Sequence, residues 1–268
     1  MNTLRLHWFD IGLSLALLTG IFLTLAPLTP LAFLLWLSLI SLFLHQAEEY
    51  RYPGYFPGMV NSVMFASQQP DRYPLNTNTA LIVNVVIGWL TYFLAAVFAE
   101  KAVWLGIATL LISAGNFIAH TFLFNIKGKT RYNPGMLTAV LLFLPIAVIF
   151  FGLIIREGLT TPLDWAIGIP LGIALNYLGI LKLIDWLKDV NIPYIFPQRF
   201  IHSETRRNQL TRKRDWICRQ TSSFSPLLVC CIFSFGFVIF IAVVGFRKSS
   251  SGFGRTGMQQ LISRPINC

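Results

Sequence analysis

The sequence predicts an all-α, polytopic membrane fold: a bundle of six transmembrane helices, with a seventh apolar run near the C terminus. Three observations predict it. The charged fraction is 12% and the hydrophobic fraction 55%, whereas a soluble chain devotes about a quarter of its residues to charge. Several apolar stretches reach the roughly 20 residues that a helix needs to cross a hydrocarbon core about 30 Å thick. The basic residues, which give a formal charge of +10, lie in the short segments between apolar runs and after residue 180. There they set topology beside anionic headgroups, and nucleic acid is not the expected partner.

The first two runs, residues 9–26 and 29–47, are separated by Pro27 and Pro30. Proline lacks an N–H and has a fixed φ, so a helical hairpin is expected. The alternative, one helix from 11 to 44, would be about 51 Å long with both prolines inside it. A second run following at once also argues against a cleavable signal peptide. Further spans are expected at 79–99, 102–126, 136–155 and 163–184. The connection from Tyr50 to Asn78 is rich in Pro, Gly, Tyr and Asn, which favours turns lying on the surface over a long helix.

Residues 1–200 read as one six-span domain and 201–268 as an atypical tail, basic and then apolar, with an added span at about 225–246. All four cysteines (Cys218, Cys230, Cys231 and Cys268) lie in this tail, at spacings that form neither a disulfide framework nor a C-x-x-C metal site. Lys and Arg in the short loops place the N terminus on the cytoplasmic side, with Arg5, Arg51, Arg72, Lys127, Lys129 and Arg131.

Ionisable groups inside spans are costly, so each must be paired, hydrated or functional. His45, Glu48 and Glu49 close the second span in HQAEEY, Asn116 and His120 lie in the fourth, and Asn84 and Asn176 lie in the third and sixth. His45 precedes Glu48 by three residues and Glu49 by four, so all three can share one helix face. Inverted zinc motifs use a related spacing. Here Glu49 and His45, joined by His120, would make a two-His, one-Glu ligand set with Glu48 as general base. The plainer reading has His45 pairing with a glutamate one turn away at a helix end, and His120 bonding Asn116 to fix packing. Lys127, Lys129 and Arg131 would give the site a positive rim suited to an anionic headgroup.

Three motifs then stand together: His45-Gln-Ala-Glu48-Glu49, a later membrane histidine at His120, and Tyr132-Asn-Pro134-Gly135. The combination resembles the HXXEE-motif family of bacterial integral membrane proteins, whose descriptors are that first motif, a further histidine and Y-x-P-G. The resemblance spans roughly residues 9–200. It implies a multi-pass protein of a bacterial inner membrane, from a family of uncharacterised function whose motif residues point toward an enzyme, and supplies no substrate. Intramembrane proteases of the CAAX-processing type fit less well: they carry EE-x-x-x-R and F-x-x-x-H, whereas Arg51 follows Glu49 by two and Phe117 precedes His120 by three.

The function expected is a metal-dependent, membrane-embedded hydrolase acting on a lipid or membrane peptide at the cytoplasmic face. His45, Glu49 and His120 would hold a divalent ion (zinc, iron or manganese) and Glu48 would act as base. Asn116 and Tyr132 would orient, and Pro134 and Gly135 would shape the turn. A proton-coupled small permease using the same His and Glu groups is the alternative enzyme-free reading, and a purely structural helix end is the third.

Overall fold

The computed structural model describes residues 2–201. The seventh apolar run and the tail's cysteines lie outside the described residues. Among the described residues, six helices are long and apolar enough to cross a membrane: Thr3–Leu25, Pro30–Tyr50, Thr77–Val97, Val103–Gly128, Met136–Arg156 and Pro162–Trp186. We refer to them as the first to sixth spans. The described residues contain no strand.

Local chemistry explains where the spans begin. Thr29 caps the second span by accepting from the Ala32 N–H at 3.2 Å, and Pro30 takes the first helical position, where its missing N–H costs nothing. Asn76 caps the third span through the N–H groups of Asn78 and Thr79. The sixth span opens on a Thr161–Asp164 capping box with Pro162 just inside it. Pro30 and Pro162 are therefore helix starts, Pro27 lies in the link between helices, and the hairpin at Pro27–Pro30 forms as expected.

Several spans run further than their apolar runs, and two of these extensions shape the site. The second continues to Tyr50, and the fourth ends at Gly128 with Lys129 in the left-handed region. The charged end of the second span was expected at the membrane boundary, yet His45, Glu48 and Glu49 are all buried. The connection after it is the reason. Rather than lying as turns on the surface, it folds into a short helix, Phe56–Met59, and a wide π turn, Val60–Met64, with Pro57 to Ser62 buried. Asn61 closes this cap: its Nδ2 donates to the carbonyls of Pro70 (2.9 Å) and Leu75 (2.8 Å), and its Oδ1 accepts from the Leu75 N–H (2.9 Å). The chain after the sixth span straps the cap through Phe196 N–H to Asp71 O (2.7 Å) and Thr77 N–H to Tyr194 O (3.1 Å).

The second span is the central helix, 61% buried over its apolar window against 22–44% for the others. In a bilayer, packing rather than hydrophobic transfer holds helices together, so small residues mark the close approaches. The sixth span carries a Gly168-x-x-x-Gly172 pair. A Cβ at Gly168 would sit 2.7 Å from the Trp104 carbonyl, and one at Gly172 would sit 2.8 Å from Leu111 Cδ1. That pair lets the sixth span lie against the fourth. The second and fourth spans pack with matching register: Thr29 meets Glu100, Leu35 approaches Gly106, and Glu49 meets His120, a constant offset of 71 residues. This offset brings a histidine of one helix level with a glutamate of the other.

Candidate metal centre

Within the last two turns of the second span, the i,i+4 spacing sets His45 Nε2 3.6 Å from Glu49 Oε1. The fourth span delivers His120 Nε2 to the same oxygen at 3.3 Å. His120 lies in a π turn, Ala119–Leu123, a departure from α geometry that recurs at functional positions. The two imidazoles are nearly perpendicular, at 86° with centroids 4.8 Å apart. The donor atoms of His45, Glu49 and His120 all lie within 4.8 Å of one another, and all three residues are buried, His120 completely. Neither Nε2 has a hydrogen-bond partner.

Aromatic rings wall this triad. Phe56, from the cap, stacks on His120 at 5.2 Å, Phe124 meets the same ring edge-on at 4.9 Å, and Phe143 lies 4.5 Å from His45. Such walls keep water out and lower the local dielectric, so any charge at the triad acts strongly.

The other ring nitrogens are tied to the start of the fifth span. His45 Nδ1 lies 2.9 Å from Thr138 Oγ1, and His120 Nδ1 lies 2.6 Å from Asn133 Oδ1. The turn that places them is built from Asn133-Pro134-Gly135-Met136: the Met136 N–H donates to Asn133 O at 3.0 Å, and Gly135 takes φ +99° and ψ −19°. Proline at the second position and a positive-φ residue at the third are what a type II turn asks for. Gly135 is also required by space, because a Cβ there would lie 2.4 Å from His120 Cε1 and 2.8 Å from His45 Cε1. Pro134 and Gly135 thus do their work through backbone shape.

Glu48 points to the fifth span and not to the triad. Its Oε1 accepts from the Tyr132 hydroxyl (2.8 Å) and the Leu137 N–H (3.1 Å), and its Oε2 accepts from the Thr138 N–H (2.8 Å) and hydroxyl (2.6 Å). A carboxylate there answers the orphan N–H groups and positive dipole end of the fifth span. With four donors on its two oxygens, Glu48 is an anchor, and this arrangement does not suit the general-base role expected of it. Tyr132 faces the site from a partly exposed position. Its phenol is pushed well above the usual tyrosine range by burial first, then by the bond and charge of Glu48, so it remains a donor.

Not every expected residue converges. Asn116 donates to Ile112 O of its own helix at 3.0 Å and makes no described hydrogen bond to the cluster. Asn176 donates to Leu111 O and Gly172 O, and Asn84 joins a separate network with Gln46. Lys129 and Arg131 are exposed in the turn between the fourth and fifth spans. Asn133, Asn125 and Thr138 were missed. Asn133 occupies the variable position of Y-x-P-G, and Thr138 is a hydroxyl in the first turn of a helix. Neither draws notice until the fifth span is known to begin against the second.

No curated protein and no solved structure matches the chain. Residues 36–150 match the model of a family described as proteins of unknown function with an HXXEE motif. The residues of the site, from His45 to Thr138, all lie within the segment that is similar to that family.

Proposed function

We propose that the protein is a metal-dependent hydrolase embedded in the membrane, acting on a lipid or membrane peptide at the end of the bundle where the second span finishes. The observation that carries this reading is the convergence of two buried, unpartnered Nε2 atoms on one carboxylate oxygen. Leaving a buried polar atom unpaired costs about 1–3 kcal/mol. A proton shared with Glu49 would relieve one imidazole and leave the other orphaned, whereas a divalent cation relieves all three groups. Two of the spacings are close to what an ion asks: donors about 2.1 Å from a tetrahedral ion stand about 3.4 Å apart, beside the 3.3 and 3.6 Å from Glu49 Oε1 to the two nitrogens, in a donor set that spans no more than 4.8 Å.

Three protein donors with a fourth position left open is the pattern of catalytic rather than structural zinc, and a nitrogen-oxygen set also suits iron or manganese. Such an ion would supply Lewis acidity and an activated water. The chain's own residues do the rest. Phe56, Phe124 and Phe143 exclude bulk solvent, Glu48 fixes the fifth span, and the triad's depth within membrane-spanning helices favours a substrate that itself resides in the bilayer.

The test is metal content by elemental mass spectrometry on detergent-purified protein, wild type beside a His45→Ala, His120→Ala double variant. About one ion per chain, lost in the variant, is expected for a three-donor site, followed by hydrolysis in a screen of lipids and membrane peptides. An equal metal content in both proteins overturns the ligand assignment, and a metal-loaded protein inert across the screen overturns the hydrolase reading.

A further inference from the structure

We infer that Thr138 and Asn133 are positioning residues that hold both histidines in the Nδ1–H form, leaving each Nε2 lone pair aimed at the triad, and that Glu48 completes the hold on His45 through the Thr138 hydroxyl.

The proton positions follow from counting donors. Asn133 Nδ2 donates to the His120 carbonyl (2.7 Å) and to Asn125 Oδ1 (2.8 Å). Asn125 is fixed in turn, since its own Nδ2 donates to Thr121 O at 3.1 Å. With its amide so oriented, Asn133 presents Oδ1 to His120 Nδ1 at 2.6 Å, and a carbonyl oxygen only accepts. His120 Nδ1 therefore carries the hydrogen, and a neutral ring leaves Nε2 bare.

His45 is set by a relay. Thr138 Oγ1 has one hydrogen and three candidate acceptors, Glu48 Oε2 at 2.6 Å, a bare His45 Nδ1 at 2.9 Å and Gly135 O at 3.2 Å. The carboxylate is nearer and charged, so it takes the hydrogen. The hydroxyl oxygen then accepts from His45 Nδ1 at 2.9 Å. The chain Glu48–Thr138–His45 thus lends carboxylate character to a ring that Glu48 never touches. Adjacent glutamates on a helix point about 100° apart. One therefore enters the triad while the other reaches the helix that orients it, which accounts for a paired Glu-Glu.

The functional consequence rests on the proposed metal centre. Partners of this kind raise ligand basicity and fix ring orientation, and losing one weakens metal binding about 10–100-fold. The experiment has two arms on the full chain in detergent. Zinc affinity is measured by competition with a chromophoric chelator for wild type, Thr138→Val and Thr138→Ser, with helical content checked by circular dichroism. Thr138→Val, isosteric but unable to relay, is expected to lose affinity by about 10–100-fold, and Thr138→Ser to restore it to within about threefold of wild type. Val and wild type binding zinc alike would overturn the positioning role while leaving the metal centre standing. The second arm reads the tautomers directly, by nitrogen chemical shifts in histidine-labelled, metal-free wild type. His45 and His120 protonated at Nδ1 is the expected result. Protonation at Nε2 in either would overturn the inference whether or not zinc binds and whether or not a variant folds.

Discussion

Two polar networks occupy neighbouring faces, about 100° apart, of the same two helical turns. On one face, Gln46 Oε1 accepts from Trp89 Nε1 at 2.7 Å and Gln46 Nε2 donates to Asn84 Oδ1 at 3.1 Å, while Asn84 Nδ2 donates to Ala80 O (2.9 Å) and the Tyr50 hydroxyl (3.3 Å). On the other face, His45, Glu49 and His120 meet with two nitrogens unpaired. Both networks are polar and interhelical, the first partly buried and the second fully so, but only the first closes on itself. A closed network ties the second and third spans together and asks for nothing more. An open one, whose three lone-pair-bearing atoms face each other, leaves a polar cost that a cation among them would relieve, and on the proposed reading that difference separates a packing device from a ligand site.

The largest expected effect falls on the hinge that both histidines lean upon. Gly135→Ala forces a side chain into a positive-φ position and against both imidazoles, a combined strain and overpacking cost of about 2–4 kcal/mol. Thermal unfolding in detergent should show the loss, and metal should go with it.

The two glutamates should then part company. Glu48→Gln turns an amide N–H₂ toward existing donors, so the metal-free protein should lose about 1–3 kcal/mol. Glu49→Gln gives the unpaired Nε2 atoms a donor and removes a buried charge. The metal-free variant should therefore be as stable as wild type or about 1 kcal/mol more so, although it binds no ion. Equal destabilisation by both substitutions would erase the distinction between closed and open networks.

Gln46→Leu probes the closed face. It strands Trp89 Nε1 and weakens Asn84, at about 1–3 kcal/mol by denaturant or thermal unfolding, with metal content unchanged. The smallest effect belongs to Tyr132→Phe, which removes one of four donors to Glu48, about 0.5–1.5 kcal/mol. The pH dependence has a definite sign. The Tyr132 phenol is raised above its unfolded value by burial and by Glu48, so its contribution is full below the unfolded tyrosine pKa and is lost only as pH rises through the folded one. Absorbance near 295 nm should show one tyrosine fewer titrating late in the variant than in wild type.

Much of this was legible in the sequence because helix starts and ligand spacing are local. Thr29-Pro30 marks a cap, Thr161-Pro162-Leu163-Asp164 marks another, and His45 with Glu49 at i,i+4 already shares a face. What was not legible depends on contacts far apart in the chain. Glu48 looks like a general base beside a ligand until the fifth span, some 90 residues on, arrives with Leu137, Thr138 and Tyr132 to occupy it. The burial of HQAEEY was hidden for the same reason, since it depends on a cap whose own order comes from Asn61 and from the strap at Tyr194 and Phe196. Asn116 was overvalued because one turn of spacing from His120 permits a bond that its own helix carbonyl takes instead.

The most direct test of the central claim is the number of ions bound per chain in purified wild type, Gln46→Leu and Glu49→Gln proteins, measured together by elemental mass spectrometry. The open-network account predicts about one ion in wild type and Gln46→Leu and none in Glu49→Gln. A wild-type protein without metal, or metal retained equally in all three, would contradict it.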